Sequence, residues 1–199
     1  MFVLPTEVQL FEIQHQSLVR AQLVQLTREL AATEIDGAWW NIAVTKNARD
    51  AEGDHHWVWR TLVGQHRNDL TWEAVAVQST SGAIEGASIY RIDAKSQIDK
   101  GEGAIFIDRL STAPRNRPWL VDSQKYQGIG TILILTAVRH SYSLGLGGLV
   151  WLTSLPSENT RRFYRNRGFD VIFENEDGTI DFELNAAAAQ RWLESEGDL

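Results

Sequence analysis

The stretch Lys125-Tyr126-Gln127-Gly128-Ile129-Gly130-Thr131 sets two glycines, one residue apart, at the entrance of a strongly apolar segment. Glycine lets a backbone approach a phosphate closely, and the first N–H groups of a following helix point at it with a favourable dipole. Lys125 adds a positive charge to the entrance. The chemistry on offer is anion binding; the plain alternative is a turn. It is not a nucleotide fingerprint, because the G-K-[ST] ending and a third glycine at dinucleotide spacing are both missing. A second constellation lies downstream, from Glu158 to Phe169. It places Tyr164 on a short predicted helix that stops at Gly168, with Asn159 and Phe163 one turn apart on a common face. Alone, Phe163-Tyr164 near a helix end is ordinary core packing; joined to the glycine loop, it becomes a site candidate.

Other residues with chemical potential weigh less. Asp54-His55-His56 could ligate a metal, but adjacent histidines ahead of a helix read better as a solvated cap, so no metal is expected. His140 falls late in the apolar helix and reads as a surface or boundary residue. Arg161, Arg162, Arg165 and Arg167 form a basic run that reads as a solvated helix face, with a phosphate partner as the alternative.

The elements that must position these residues follow from periodicity and turn chemistry. Val8–Ile13 alternates as a first strand. Leu18, Leu23, Leu26 and Leu30 recur at near-helical spacing, which predicts an amphipathic helix from about Leu18 to Ala32. Residues 33–56 are irregular. Asp54 looks like the cap of a helix over Trp57–Arg67. Trp72–Gln78 and Ile84–Asp93 form a hairpin, and Ala104–Leu110 is the next strand, stopped by Pro114. After a polar connection, a helix runs from about Ile129 to Leu144 and is released by glycines. A short strand (Leu149–Thr153), a helix (Pro156–Arg167), a second hairpin (Phe169–Glu174 with Thr179–Leu184) and a helix (Ala186–Leu193) complete the order. The expected fold is α/β: one mixed, mostly antiparallel sheet flanked by helices on both faces, with the 199 residues forming a single domain.

Composition narrows the function. The formal net charge of −7 argues against non-specific nucleic-acid binding. The chain has no cysteine, which excludes disulfides, a cysteine nucleophile and thiolate metal sites. No apolar run approaches the roughly 20 residues of a membrane span, and the N-terminus lacks the pattern of a signal peptide, so a cytoplasmic protein is expected. Five of the eight tryptophans fall in the first half, at Trp39, Trp40, Trp57, Trp59 and Trp72. They read as packed core, with a lined pocket as the alternative.

The sequence resembles the GNAT superfamily of acyl-CoA-dependent N-acyltransferases, and more narrowly a little-characterised bacterial branch of it. The resemblance runs from about residue 104 to 173 in motif and from about 57 onward in element order. In that family an R/Q-x-x-G-x-G/A loop wraps the pyrophosphate of coenzyme A, and Lys125–Gly130 matches it, with lysine in place of the usual arginine or glutamine. The resemblance implies acetyl-CoA as acyl donor, bound by Lys125, Tyr126, Gln127, Gly128, Ile129, Gly130 and Thr131. It also implies pantetheine pairing along Leu110, Ser111 and Thr112 and contacts from Asn159 and Phe163. The ending Phe163-Tyr164-Arg165-Asn166-Arg167-Gly168-Phe169 matches the family's final motif, which gives Tyr164 the role of protonating the departing thiolate. Two departures concern the acceptor side: the branch tends to carry tryptophan where Arg115 stands, and often a carboxylate near Ser111.

The implied reaction is direct acetyl transfer to a primary amine in a ternary complex. The attacking amine must lose a proton, and Asp108, on the same strand face as Leu110, is the candidate base or acceptor ligand. A salt bridge with Arg109 or a loop cation is its plain alternative, and Glu73 and Glu85 are fallbacks. The acceptor is expected to be a small molecule, and a homodimer is open because dimers are common in the family. The alternatives are a CoA-binding or sensing module without turnover, and a non-enzymatic interaction protein on the same fold.

Overall fold

The segment Ser17–Gln25, expected as the start of a helix, is a strand. Its true period is two: Ala21 and Leu23 are buried while Arg20 and Gln22 face out, and Leu18, the first residue of the helical reading, is exposed. A tight turn in which the Gln16 N–H reaches the Ile13 carbonyl reverses the chain and pairs this strand with the one before it. Tertiary pairing on both edges decides against a leucine spacing that fits a helix only from Leu23 onward. Helix begins at Arg28, where the Thr27 hydroxyl accepts from the Leu30 N–H at 3.1 Å.

The computed structural model describes residues 7–196. In chain order they form β1 (Glu7–Glu12), β2 (Ser17–Gln25), the short α1 (Arg28–Leu30) running into a π-helical stretch (Ala31–Asp36), α2 (Lys46–Asp50) and α3 (Trp59–His66). Then come β3 (Trp72–Ser79), β4 (Ile84–Lys95), β5 (Gly103–Thr112), a 3-10 turn (Pro114–Asn116) and β6 (Tyr126–Gln127). The last part holds α4 (Ile129–Ser143), β7 (Val150–Ser154), α5 (Glu158–Arg165), β8 (Asp170–Glu174), β9 (Ile180–Leu184) and α6 (Ala186–Glu196). The strand order is β6-β1-β2-β3-β4-β5-β7-β9-β8. β1–β2, β1–β6, β2–β3, β7–β9 and β8–β9 pair antiparallel while β5 pairs with β7 in parallel, so the sheet is mixed and mostly antiparallel, as expected.

The chain divides into two compact units. Among the described residues, one holds 7–89 together with Arg109–Leu133. Its core packs Leu26, Ile35, Trp39, Trp59, Ile84 and Ile89, with Trp57 and Trp40 half-buried against them. Trp39 donates its indole N–H to the Ile84 carbonyl at 2.9 Å, which satisfies its polar edge inside this core. The cap of α3 is Asp36 rather than Asp54: its carboxylate accepts from the N–H groups of Trp59 at 2.8 Å and Arg60 at 3.1 Å. A charge beside the helix start does this work from a distant stretch of chain, where sequence proximity had pointed to Asp54.

The other unit holds residues 90–108 and 134–196. β5 pairs in parallel with β7 through Ile105–Val150 and Ile107–Leu152, and β7 pairs with β9. His140, expected at the surface, is buried in this unit. Its Nδ1 lies 3.2 Å from the Tyr90 hydroxyl, and burial lowers its pKa from the ordinary 6.5 to about 4. Ala137, Val138 and Ser141 around it on α4 are buried too, which places His140 on the enclosed side of the helix.

Candidate functional site

The glycine loop forms as a pinned entrance to α4. On one side Tyr126 and Gln127 pair with Glu12 and Phe11 of β1, and the Ile13 N–H donates to the Lys125 carbonyl at 3.0 Å. On the other, Asn116 accepts the Tyr126 N–H at 3.0 Å, while Gln124 bridges the carbonyls of Asn116 and Tyr126. Tyr126 is buried, and the Lys125 ammonium lies over its ring at 4.8 Å. Gly128 then takes φ +88°, and apart from its two chain neighbours no heavy atom of the protein lies within 4 Å of where its Cβ would be. That backbone conformation suits glycine, and the open space beside it suits a bulky anion. The first intrahelical hydrogen bond here, from Ile132 to the Gly128 carbonyl, follows the N–H groups of Ile129 and Gly130.

The start of α4 also lies close against β4. A Cβ at Gly86 would stand 2.4 Å from Ile129 Cγ2 and 3.3 Å from the Ser111 carbonyl. Only glycine permits that approach of strand, helix entrance and β5.

The end of β5 is held by charges that the sequence did not mark. Ser111 is buried, with Leu110 and Thr112 half-buried beside it. The Ser111 hydroxyl donates to Asp54, and the buried Arg117 grips the same carboxylate with two nitrogens, one of them at 2.9 Å. Arg117 further donates to the Thr112 carbonyl at 3.1 Å and 2.7 Å and to Glu52 at 2.5 Å. Burial alone would raise the Asp54 pKa, but the hydrogen bonds and charge of Arg117, with the Ser111 hydroxyl, hold it below its ordinary value. The carboxylate that the sequence lacks near Ser111 is thus present in space.

A second buried carboxylate, Glu85, accepts from Ser79 at 3.0 Å, Arg115 at 3.0 Å and Asn116 at 2.8 Å. Both of its oxygens are engaged. Glu73 on β3 is half-buried, and burial raises its pKa.

Tyr164 and Asp108 belong to the other unit. Tyr164 is buried near the end of α5 among Phe163, Phe169 and Phe182, with ring centroids 5.2–5.5 Å away. Burial raises its hydroxyl pKa, with Arg167 pulling the other way, so the phenol keeps its proton through the neutral range. Asn159 accepts from Arg162 at 2.8 Å, and Arg167 lies over the Phe163 ring at 3.6 Å. Arg161 donates to the Gly178 carbonyl at 2.7 Å, so the basic run is partly tied down rather than wholly solvated. Asp108 lies half-buried on β5. Among the described residues no cluster of three or more His, Asp or Glu could hold a metal, and no helix is long and apolar enough to cross a membrane.

No protein-family model and no curated protein matches the chain. Solved structures do. A tyrosine-to-phenylalanine mutant of the toxin AtaT, bound to the C-terminus of the antitoxin AtaR and acetyl-CoA, superposes with TM-score 0.57 over 87% of this chain and 98% of its own, at 17% identity. FdhC, a nucleotide-linked sugar GNAT, gives TM-score 0.57 over 96% and 97% at 10% identity. PaiA N-acetyltransferase from Thermoplasma acidophilum, in complex with coenzyme A, gives 0.53 over 82% and 97% at 14% identity. The chain has the GNAT fold. The sequence placed the glycine turn at a helix entrance and Tyr164 on a short helix, as the structure has them, but gave no sign of Asp54, Glu85, Asn116 and Arg117 as a framework. Their signal was faint: a lone carboxylate beside two histidines, and polar residues in a connection punctuated by prolines.

Proposed function

We propose that the chain is a GNAT-type N-acyltransferase that moves an acetyl group from acetyl-CoA to a primary amine, the whole chain acting as one catalytic domain. The observation that carries this reading is the helix entrance at Gly128: left-handed backbone, open space and a lysine at the mouth of a 15-residue helix, on a fold whose neighbours hold acetyl-CoA or coenzyme A. Residues Lys125–Thr131 would bind the pyrophosphate, chiefly through backbone N–H groups. Leu110, Ser111 and Thr112 would pair with the pantetheine arm, with Asn159 and Phe163 beside it.

The cofactor supplies an acyl group activated as a thioester. The neutral amine nitrogen forms a bond to the acyl carbon and loses a proton while the carbon–sulfur bond breaks. Asp108, directly or through water, is the proposed acceptor of that proton. A backbone N–H at the end of β5 would face the negative charge that develops on the carbonyl oxygen. The Tyr164 phenol, kept protonated by burial, would give its proton to the leaving sulfur as it departs. With no cysteine in the chain, an acyl-cysteine cannot form, which favours direct transfer.

Calorimetric titration with acetyl-CoA and with coenzyme A tests the reading, followed by thiol release in the presence of amines. Micromolar binding is expected, and Gly128→Glu should abolish it by setting a charged side chain against the pyrophosphate. Absence of binding by a folded sample would refute the function and every role assigned above. Binding without turnover across a broad amine panel would instead leave a CoA-sensing module.

A further inference from the structure

The tryptophans of the first half do more than fill a core. Within the unit that carries the glycine loop, a cavity of about 390 Å³ opens between the π-helical stretch and the start of α3. Ile35, Trp39, Trp40, Trp57 and Trp59 line it, so four indoles contribute to its walls, with His55 and His56 beside them. That volume lies in the range of small-molecule sites, roughly 300–1,000 Å³. Its polar groups have one sign to spare. The single acidic side chain in the lining, Asp36, is already engaged by the N–H groups of Trp59 and Arg60. Arg49 and Arg60 also line the cavity, and among the described residues neither is ion-paired. Arg49 is held over the Trp40 ring at 5.2 Å, while Asp50 next to it is taken by Lys46.

Indole walls with unpaired guanidinium groups suit a flat aromatic ring that carries an anion. They do not suit a cation, which the arginines would repel, although an aromatic cage alone would favour one. The same walls reach the end of β5. Arg109 of β5 lies over the Trp57 ring at 5.1 Å, Arg117 lies over Trp40 at 5.5 Å, and Asp54, between the cavity residues and the strand, bonds Ser111.

We propose that this cavity seats the acceptor, and that the acceptor is an amine bearing an aromatic or heteroaromatic ring and an anionic group, carboxylate or phosphate. Its role as acceptor rests on the acyltransferase reading; its ability to bind such a ligand does not. Arg49 and Arg60 take the anion and the tryptophans take the ring, so that the neutral nitrogen gains the acyl carbon, one proton leaves it and one reaches the departing sulfur.

The test uses the full chain and four probes: 4-(aminomethyl)benzoate, 4-(aminomethyl)phenyl phosphate, benzylamine and 6-aminohexanoate. Binding is read by quenching of tryptophan fluorescence and by calorimetry, with and without coenzyme A. One or both of the anionic aromatic amines should bind at least about tenfold more tightly than benzylamine, which lacks the anion, and than 6-aminohexanoate, which lacks the ring. Preference between the first two identifies carboxylate or phosphate. Arg49→Gln should remove that advantage while leaving the thermal midpoint and coenzyme A affinity unchanged, and the double variant Arg49→Gln/Arg60→Gln should do so more completely. Benzylamine binding as tightly as its anionic analogues, or no quenching by any probe at millimolar concentration, would overturn the proposal. Probe binding without coenzyme A binding would instead keep the cavity as a ligand site and refute the transfer reaction.

Discussion

Replacing Asp54 by asparagine keeps the shape of the side chain and removes its charge, so it isolates what the carboxylate does. Asp54 is 7% exposed and meets Arg117 through both oxygens, one of which also accepts from Ser111. Removing one partner of a buried ion pair costs about 3–5 kcal/mol, because the other charge stays behind in a poor solvent. Arg117 would keep Glu52 at 2.5 Å and the Thr112 carbonyl, which places the expected loss near the lower end, about 3 kcal/mol. For a chain of this length that corresponds to a fall in melting temperature on the order of 6–12 °C. Urea unfolding should show a lower midpoint with an unchanged slope. Arg117→Met alone should also destabilise, and the double variant should lose less than the sum of the two, since it leaves no unpaired charge. A loss below about 1 kcal/mol, or strict additivity in that cycle, would refute the account of this pair.

The pH dependence adds an independent check. The folded-state pKa of Asp54 lies below the ordinary 3.8, so its contribution is fully present above that value and is lost as pH falls through the lower folded one. The stability gap between the native chain and Asp54→Asn should therefore be constant near neutrality and close only in strong acid.

Tyr164→Phe should reduce turnover by roughly 10²–10⁴-fold, the usual worth of a general acid, with coenzyme A affinity and melting temperature preserved by the intact ring packing; unchanged turnover would remove Tyr164 from the chemistry. Gly86→Ala should destabilise the fold by about 1–3 kcal/mol through overpacking and weaken coenzyme A binding, because the new methyl would push the α4 entrance at Ile129; wild-type affinity in calorimetry would contradict that coupling. His140 is neutral when folded, with a pKa of about 4 against an ordinary 6.5, so the unfolded chain binds the extra proton between those values. Stability should fall as pH drops from 6.5 towards 4, and His140→Gln should flatten that part of a thermal-melt profile.

What the sequence revealed was whatever local chemistry decides. The Gly128 turn and the helix after it need only glycine and an apolar run, and the Asn175–Gly178 turn between β8 and β9 needs only its own residues. The residues that failed were those whose state is set by distant partners. Ser17–Gln25 is a strand because β1 and β3 lie on either side of it. Asp54 looked like a cap because Trp57 follows it, yet the cap is Asp36, in a segment that gave no periodic signal. His140 is buried because its neighbours Ala137, Val138 and Ser141 are buried with it and the distant Tyr90 hydroxyl lies against its ring.

These anchors converge on one short connection. Arg115, Asn116 and Arg117 follow one another after β5, and together they hold three parts of the candidate site. Arg115 and Asn116 engage Glu85 on β4; Asn116 also fixes Tyr126 at the glycine loop; Arg117 fixes Thr112 at the strand end. Pro114 fixes φ at the head of the turn, which lowers the entropy lost in aligning the three. A stretch that reads as an irregular polar linker is therefore the part of this unit that ties the strand to the loop. Its prolines and charges, conspicuous for breaking secondary structure, are there to hold two neighbouring elements in one geometry.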